Sequence, residues 1–286
     1  MDNQIYHIKE VVTEAAKTYG TRSPGLPTGI HKLDKYINGL EPSSFIILAA
    51  RPGLGKTSFA STVGINASKY GKVLFLSLEM NNTRIVDRML SSMAQVNIRA
   101  MVDNTLSRSD QLKVQAAQSE LSKCNMYVDD SPFLTPQLLR KKLNDTPGVG
   151  LVIIDYLQLM VANRTEGRMQ EVSDMSRELK LIAKEYNIPI VALAQLNRQC
   201  EYRDDAMPRA SDLRESGSLE QDADLVLLLH RQSYYDIQAS HTSEDDDGQA
   251  KIIIAKNRNG ACEIIDCAFI GEYCGFYNLP QDEEIF

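Results

Sequence analysis

Short apolar runs alternate with longer amphipathic segments along most of this 286-residue chain. Runs suited to buried strands lie at residues 45–50, 72–80, 127–129, 151–155, 188–195, 224–230 and 252–255. Helical spacing or helix-starting residues mark the segments 3–19, 56–70, 85–93, 109–123, 136–143 and 169–187. Strands of a parallel sheet read as continuous apolar runs, because helices cover both faces of the sheet. The alternation therefore predicts an α/β fold, with a mainly parallel twisted sheet and helices on both faces.

The N-terminal segment 3–19 is predicted to be an amphipathic helix. Apolar residues recur in it at helical spacing, at Ile5, Ile8, Val12, Ala15 and Tyr19. A stretch rich in Gly, Pro and Ser follows up to residue 27 and is typical of a linker. The apolar stripe must be buried either on its own domain or on a neighbouring copy, and both alternatives stay open. We therefore divide the chain into a linker helix with its linker at 1–27 and a single domain at 28–286.

The strongest local signal is a Gly-containing turn between the strand at 45–50 and the helix that follows it. The turn runs from Ala50 through Gly53 and Gly55 to Lys56 and Thr57. In this P-loop arrangement, backbone N–H groups and the N-terminal end of the helix surround a phosphate. We expect Lys56 to reach the β- and γ-phosphates of a nucleotide and the Thr57 hydroxyl to bind Mg²⁺. Ala50 stands where the general pattern begins with Gly.

Polar residues end several of the predicted strands, where ligands bind in open parallel sheets. Asp155 follows an apolar run in the Walker B manner and is a candidate Mg²⁺ ligand. Glu79 is a candidate general base, and Gln195 a candidate contact to the γ-phosphate. Lys256 and Arg258 end the last predicted strand and could act on a nucleotide held by another subunit, as arginine fingers do. Each residue also has a purely structural alternative. Asp155 could be an ordinary carboxylate in a turn, and Glu79 an exposed acid at the start of a helix. Gln195 could be an amide that only ends a strand, and Lys256 and Arg258 could belong to a solvated basic turn.

Composition restricts the class of protein. Hydrophobic residues make up 43% and charged residues 24%, as in ordinary soluble globular proteins. The net charge of −7 argues against a broadly basic nucleic-acid coat, although a local basic channel stays possible. The apolar runs are too short to span a membrane, and the first residues lack the pattern of a secretory signal. Five cysteines without a CxxC pair, the last three poorly spaced for a metal site, indicate reduced thiols and a cytoplasmic protein.

Several motifs, taken together in their order, resemble one family. They are Pro-Thr-Gly at 27–29, the P-loop, Ser-Leu-Glu-Met at 77–80, Ile-Ile-Asp-Tyr-Leu-Gln-Leu-Met at 153–160, Ala-Gln-Leu-Asn-Arg at 194–198, the segment 212–224 and Ala-Lys-Asn-Arg-Asn-Gly at 255–260. This order closely resembles the motor domain of the bacterial and phage replicative DNA helicases of the DnaB family. The resemblance covers residues 3–278, and segment 212–224 is its most specific part, because generic RecA-like ATPases lack it.

The resemblance implies a RecA-like P-loop NTPase that uses ATP and Mg²⁺ and forms a hexameric ring around single-stranded DNA. It implies nucleotide contacts at Ala50, Arg51, Pro52, Gly53, Leu54, Gly55, Lys56, Thr57, Ser58, Arg88 and Asn257. It implies catalytic roles for Glu79, Lys56 and Gln195, with Lys256 and Arg258 reaching the ATP of the adjacent subunit, and Mg²⁺ ligation by Thr57 and Asp155. Primase and a helicase loader are further family partners, expected to bind through parts outside this sequence. The N-terminal helix resembles the family's linker helix, which packs on the next subunit, and the helical domain that precedes it in the family has no counterpart here.

The same resemblance implies a DNA-binding loop with Arg214, Glu215 and Gly217. Glycine would bring backbone N–H groups close to DNA phosphates, and arginine would add charge. With Arg209, Arg214 and Arg231 as the cations of this neighbourhood, we expect modest binding per subunit and a need for several subunits. The acidic segment 240–248 looks longer than the family requires. Besides a helicase motor, a RecA-like recombination ATPase and a nucleotide-gated scaffold remain alternatives.

Overall fold

A computed structural model describes residues 5–19, 24–157, 160, 168–203, 206–213, 217–240 and 247–280. Its helices are α1 (Ile8–Thr18), α2 (His31–Ile37), α3 (Lys56–Ala67), α4 (Asn82–Ala94), α5 (Ile98–Val102), α6 (Arg108–Leu121), α7 (Pro136–Asp145), α8 (Arg168–Tyr186), α9 (Gly217–Asp222) and α10 (Gln232–Ser240). Its strands are β1 (Phe45–Ala50), β2 (Lys72–Ser77), β3 (Met126–Asp129), β4 (Val149–Asp155), β5 (Ile190–Gln195), β6 (Leu225–His230), β7 (Gln249–Asn257), β8 (Ile264–Ile270) and β9 (Gly275–Tyr277). Short 3-10 helices lie at Arg198–Tyr202, Ala210–Asp212 and Gly271–Tyr273.

Within the described residues, all nine strands form one sheet in the order β3-β2-β4-β5-β1-β6-β7-β8-β9. The strands from β3 to β6 run parallel, and β7, β8 and β9 continue the sheet in antiparallel pairs. Apolar cores lie on both faces, so that Ile46 and Leu48 of β1 enter one core and Phe45 and Ile47 enter the other. The predicted α/β fold with helices on both faces is thereby confirmed.

The antiparallel end of the sheet differs from the sequence prediction. Strand β7 is longer than the predicted run at 252–255, and it is not the last, because β8 and β9 follow it. Along β8, buried and exposed residues alternate, as in a half-buried antiparallel strand, so the segment lacks a continuous apolar run. The helices α2, α5 and α9 have five to seven residues, too few for a clear helical period.

Helix α1 forms where the apolar spacing predicts it, but its stripe is not covered. Ile8 is 68% exposed and Val12 is 56% exposed. Packing of this stripe on the same chain is therefore not what the structure shows. None of the helices in the described residues is long and apolar enough to cross a bilayer. All five cysteines lie in the described residues and are free thiols, as expected.

Candidate functional site

A cavity of about 520 Å³ opens at the carboxyl ends of the parallel strands, beside the P-loop. The lining consists of residues from the P-loop, from the ends of the neighbouring strands, from α4 and α10, and from the β8–β9 connection. These residues are Arg51, Pro52, Gly53, Gly55, Lys56, Thr57, Ser58, Glu79, Met80, Arg88, Tyr156, Gln195, Arg231, Tyr234, Phe269, Gly271 and Cys274. The sheet order brings these distant segments together, since β1 lies centrally between β5 and β6.

Two glycines give the P-loop its shape. Gly53 and Gly55 have φ angles of +84° and +90°, which L side chains rarely adopt. A Cβ on Gly53 would lie 2.5 Å from the Tyr234 hydroxyl, and one on Gly55 would lie 2.8 Å from the Phe269 ring. Helix α3 starts at Lys56, so its first N–H groups have no acceptor within the helix. The loop therefore combines a cradle of backbone donors with a close aromatic cover.

Lys56, Thr57 and Asp155 form the polar centre of the site. The Thr57 hydroxyl donates a 2.6 Å hydrogen bond to Oδ2 of Asp155, which is fully buried at the end of β4. Burial raises the pKa of Asp155, although the charge of Lys56 and the Thr57 bond oppose the shift. Burial also lowers the pKa of Lys56, against the pull of Asp155 and Glu79. The Lys56 ammonium lies 4.5 Å from the centroid of the Tyr156 ring.

This centre fits a magnesium ion. Oδ1 of Asp155 is buried and has no hydrogen-bond partner among the described residues. Buried carboxylate oxygens without a partner are costly, and a bound cation is one way to satisfy them. A carboxylate and a hydroxyl are hard oxygen donors of the kind that Mg²⁺ prefers. Thr57 and Asp155 are therefore suitable residues to hold the ion.

Glu79, Arg88 and Gln195 reach the same cavity from neighbouring elements. Glu79 follows β2, and Gln195 ends β5 in register with Ala50, where the P-loop begins. Arg88 lies on α4, and its positive charge acts on Asp155. The structure thus brings together the carboxylate, amide and guanidinium that the sequence predicts for this site.

In three P-loop residues, the side chain does not point freely into the cavity but is buried or bonded within the protein. Ala50 and Leu54 are buried in the core, so only their backbone is available to a ligand. The Arg51 side chain, 8% exposed, donates a 2.6 Å hydrogen bond to Glu201 and a 2.8 Å bond to the carbonyl of Leu196. The Arg51 guanidinium therefore ties the P-loop to the segment after β5, and its nucleotide contact stays a prediction.

The cavity opens at the carboxyl ends of the parallel strands. Lys256, Asn257 and Arg258 lie beside the opposite ends of these strands. Strand β7 runs antiparallel to β6, and Asn257 pairs with Leu225, the first residue of β6. The Asn257 amide donates to Ala261 O, and its side-chain oxygen accepts from Asn259 N. Contact between Asn257 and the nucleotide of its own chain is therefore not supported. For Lys256 and Arg258, this placement agrees with a role on another subunit.

The predicted DNA loop lies only partly in the described residues. Arg214 and Glu215 lie outside the described residues, and Gly217 begins α9. Arg231, which the sequence grouped with the cations of this loop, directly follows β6 and lines the cavity. The rule that identified Asp155 and Gln195, a polar residue at a strand end, could have identified Arg231 too.

Sequence reasoning also missed the outer wall of the cavity. The Arg231 guanidinium carbon lies 4.3 Å from the centroid of the Phe269 ring and 5.8 Å from that of Tyr234. The Tyr234 hydroxyl donates to the carbonyl of Pro52 at 3.4 Å. A flat guanidinium and two rings beside a phosphate cradle form a surface suited to a planar base. Met80, Tyr156, Gly271 and Cys274 complete the set of lining residues that were not predicted.

Comparisons with family models and with curated proteins match this chain to the same kind of protein. The model of the DnaB-like helicase C terminal domain family matches residues 25–278. Replicative DNA helicase DnaB of Leifsonia xyli subsp. xyli is 43% identical over 272 residues, which cover 93% of this chain and 58% of the relative. The DnaB of Geobacillus stearothermophilus is 41% identical over 264 residues, which cover 90% of this chain and 57% of the relative. The chain thus spans little more than half the length of these curated relatives.

Two solved structures match nearly the whole chain. One, described as an ATPase domain, has a TM-score of 0.86 and 33% identity, with 98% of this chain and 100% of that chain covered. The other, a DnaB-like replicative helicase described with its interactions with primase, has a TM-score of 0.85 and 34% identity, with 97% and 68% covered. These matches confirm the expected RecA-like fold.

Proposed function

Because this chain belongs to the DnaB-like helicase C-terminal domain family, we propose that it is the ATP-hydrolysing motor of a replicative DNA helicase. The motor would translocate on single-stranded DNA and unwind the duplex ahead of it. The observation that carries this proposal is the Thr57–Asp155 hydrogen bond in the cavity beside Lys56. It joins the phosphate cradle to the carboxylate of the neighbouring strand, which is the arrangement an Mg²⁺–triphosphate complex requires.

The chain's own residues bind the nucleotide. Backbone N–H groups of the P-loop and of the start of α3 would bind the phosphates, and Lys56 would add positive charge near the β- and γ-phosphates. A bound polyanion would favour the charged form of Lys56 and so oppose the burial that lowers its pKa. The base would lie against Arg231, Tyr234 and Phe269.

Glu79 is the best candidate for the general base, and Gln195 for the contact to the γ-phosphate. Both line the cavity, and Glu79 is a carboxylate that could orient and deprotonate the attacking water. Magnesium, held by Thr57 and Asp155, would supply positive charge against the phosphate oxygens. Arg88, which also lines the cavity, would neutralise part of the remaining phosphate charge.

Lys256 and Arg258 would complete the site of a neighbouring subunit. They lie at the amino-terminal ends of the parallel strands, and the cavity of the same chain lies at the carboxyl ends. The length of β1, about 17 Å, separates the two ends, which supports action on another subunit. A homohexameric ring around single-stranded DNA would supply this neighbour, with Arg214, Glu215 and Gly217 at the DNA. The exposed stripe of α1 supports its packing on the next subunit. Primase and loader contacts, and a cytoplasmic location in a bacterial or phage-infected cell, belong to the same proposal.

The test is steady-state ATP hydrolysis with Mg²⁺, with and without single-stranded DNA, together with unwinding of a forked duplex. We expect DNA to stimulate hydrolysis and chelation of Mg²⁺ to abolish it. Lys56→Ala should lose nucleotide binding, whereas Arg258→Ala should bind nucleotide and lose about 10³-fold or more in turnover. Hydrolysis without any DNA stimulation would favour a nucleotide-gated scaffold, and open filaments in electron micrographs would favour a recombination ATPase.

A further inference from the structure

Asp224 connects the start of the central strand β1 to Arg258. One carboxylate oxygen, Oδ2, accepts a 2.8 Å hydrogen bond from Phe45 N and a second from Lys180 on α8. The other, Oδ1, accepts from Nη1 of Arg258 at 3.1 Å. The Asp224 backbone binds two of these three residues as well. Its N–H donates to Phe45 O, and its carbonyl accepts from Arg258 N. Asp224 therefore holds Arg258 at both backbone and side chain.

The last turn of α9 holds both candidate trans-acting cations. Nη2 of Arg258 donates to the carbonyl of Gln221 at 2.8 Å. The Lys256 ammonium donates to the carbonyl of Glu220 and, at 3.1 Å, to that of Gln221. Carbonyls at the end of a helix have no donor within it, and the helix dipole favours positive charge there. The two side chains thus cap α9 while half of the Arg258 side chain, 48%, remains exposed.

Helix α9 also begins at the predicted DNA loop. Its first residue, Gly217, directly follows residues 214–216, and its six residues span about 9 Å. Two side-chain bonds of 2.7 Å hold α9 on α8, from Ser173 to Ser218 and from Ser176 to Asp222. These bonds lie one near each end of α9, so the carbonyls of Glu220 and Gln221 have a fixed position.

We propose that Asp224 and the carboxyl end of α9 position Lys256 and Arg258 for the ATP of the neighbouring subunit. The inference rests on the proposed function, in which these cations act in trans. Asp224 is then a positioning residue that acts through Arg258. Burial and the adjacent Arg258 lower the pKa of Lys256, which agrees with two cations held side by side.

Mixed assemblies of the whole protein separate this role from simple stability. Donor subunits carry Glu79→Gln, which disables their own site and leaves their cations intact. Recipient subunits carry Arg258→Ala, which leaves their own site intact and removes the cation that they would give. Mixing the two should restore DNA-stimulated hydrolysis, because donor cations complete recipient sites. Asp224→Asn is then placed either in the donor or in the recipient.

We expect Asp224→Asn in the donor to lower the restored kcat by about 10-fold, as when one charge-assisted hydrogen bond is lost, with KM for ATP unchanged. The same change in the recipient should have little effect. Asp222→Asn in the donor is the matched control, because it removes a negative charge two residues away, keeps an oxygen that can accept from Ser176 and leaves the bonds of Arg258 in place. Equal loss in both positions, or no loss in the donor, would overturn the positioning role. If the mixture of Glu79→Gln donors and Arg258→Ala recipients, without any change at Asp224, failed to regain hydrolysis, the trans assignment of the proposed function would be overturned instead.

Discussion

The Thr57 hydroxyl donates its hydrogen bond to an Asp155 carboxylate whose other oxygen has no partner among the described residues. Burial disfavours the charged form of Asp155 and raises its pKa above the usual 3.8, so folding favours protonation of this side chain. By linkage, the associated stability is fully present below pH 3.8 and is lost as the pH rises through the raised value. Above that range, the buried carboxylate therefore contributes less stability than a neutral side chain of the same shape would.

Asp155→Asn should then stabilise the nucleotide-free protein while abolishing hydrolysis. We expect its thermal midpoint to exceed that of wild type by about 2–4 °C at pH 7–8, with the difference closing toward pH 4. Thermal scans across pH test this.

The control for that prediction is Asp129→Asn. Although burial acts against it, bonds from Lys142 and Ser131 lower the pKa of Asp129, so the loss of this carboxylate should destabilise at pH 7. A lower thermal midpoint for Asp155→Asn at pH 7–8 would contradict the electrostatic account of the site.

Glu79→Gln should trap ATP without hydrolysis. The amide keeps the size of the side chain but cannot accept the proton of the attacking water, so kcat should fall by about 10²–10⁴-fold with ATP affinity retained. Single-turnover hydrolysis and nucleotide binding measure the two effects. Glu120→Gln, an exposed change on α6, is the control. Hydrolysis at the wild-type rate in Glu79→Gln would exclude this carboxylate as the base.

Arg231→Gln tests whether Arg231 serves the nucleotide or the DNA loop. The guanidinium lies over the Phe269 ring in the cavity, so its loss should weaken ATP binding by about 5- to 30-fold and leave single-stranded DNA affinity unchanged. Nucleotide titration and DNA binding at fixed salt give both values. Arg209→Gln, outside the cavity, should preserve ATP affinity. The reverse pattern, weaker DNA binding with normal ATP binding, would return Arg231 to the DNA loop.

Arg51→Ala should reduce stability more than nucleotide affinity. The change leaves the Glu201 carboxylate and the Leu196 carbonyl without their donor, at a cost of about 1–3 kcal/mol, because Glu201 is partly exposed to solvent. Urea unfolding gives the free energy of unfolding, and titration of the folded protein gives ATP affinity. Glu201→Gln should cost less, since its amide oxygen can still accept. Loss of ATP binding in a fully stable Arg51→Ala protein would restore the nucleotide role.

The parts of the site that depend on local sequence were predictable. The P-loop lies between a continuous apolar run and a helix, and Asp155 and Gln195 end such runs, so neighbouring residues alone indicate where they lie. The strand-end position of Lys256 and Arg258 left two alternatives, a role on another subunit and a solvated turn, and resemblance to a family favoured the first. The structure supports that assignment only by the register of β7 on β6.

The remaining parts depend on tertiary arrangement. Phe269 reaches Gly55 because β8 adds to the antiparallel end of the sheet, and no local signal encodes that neighbour relationship. The direction of the Arg51 side chain depends on Glu201, which is 150 residues away in the chain. Asp224 stood within the most specific motif, but its partners Phe45, Lys180 and Arg258 come from three separate elements.

Strand β1 carries the phosphate cradle at one end and, at the other, receives the hydrogen bond network of Asp224 and Arg258. In the proposed assembly, a protomer would present unlike faces to its two neighbours, the cations on one face and the nucleotide pocket on the other. Such head-to-tail contacts close into a ring only when the rotation per copy divides the circle, and otherwise grow as an open spiral. A missing copy would then leave one pocket without cations and one pair of cations without a pocket, so each gap would inactivate a site that is itself intact.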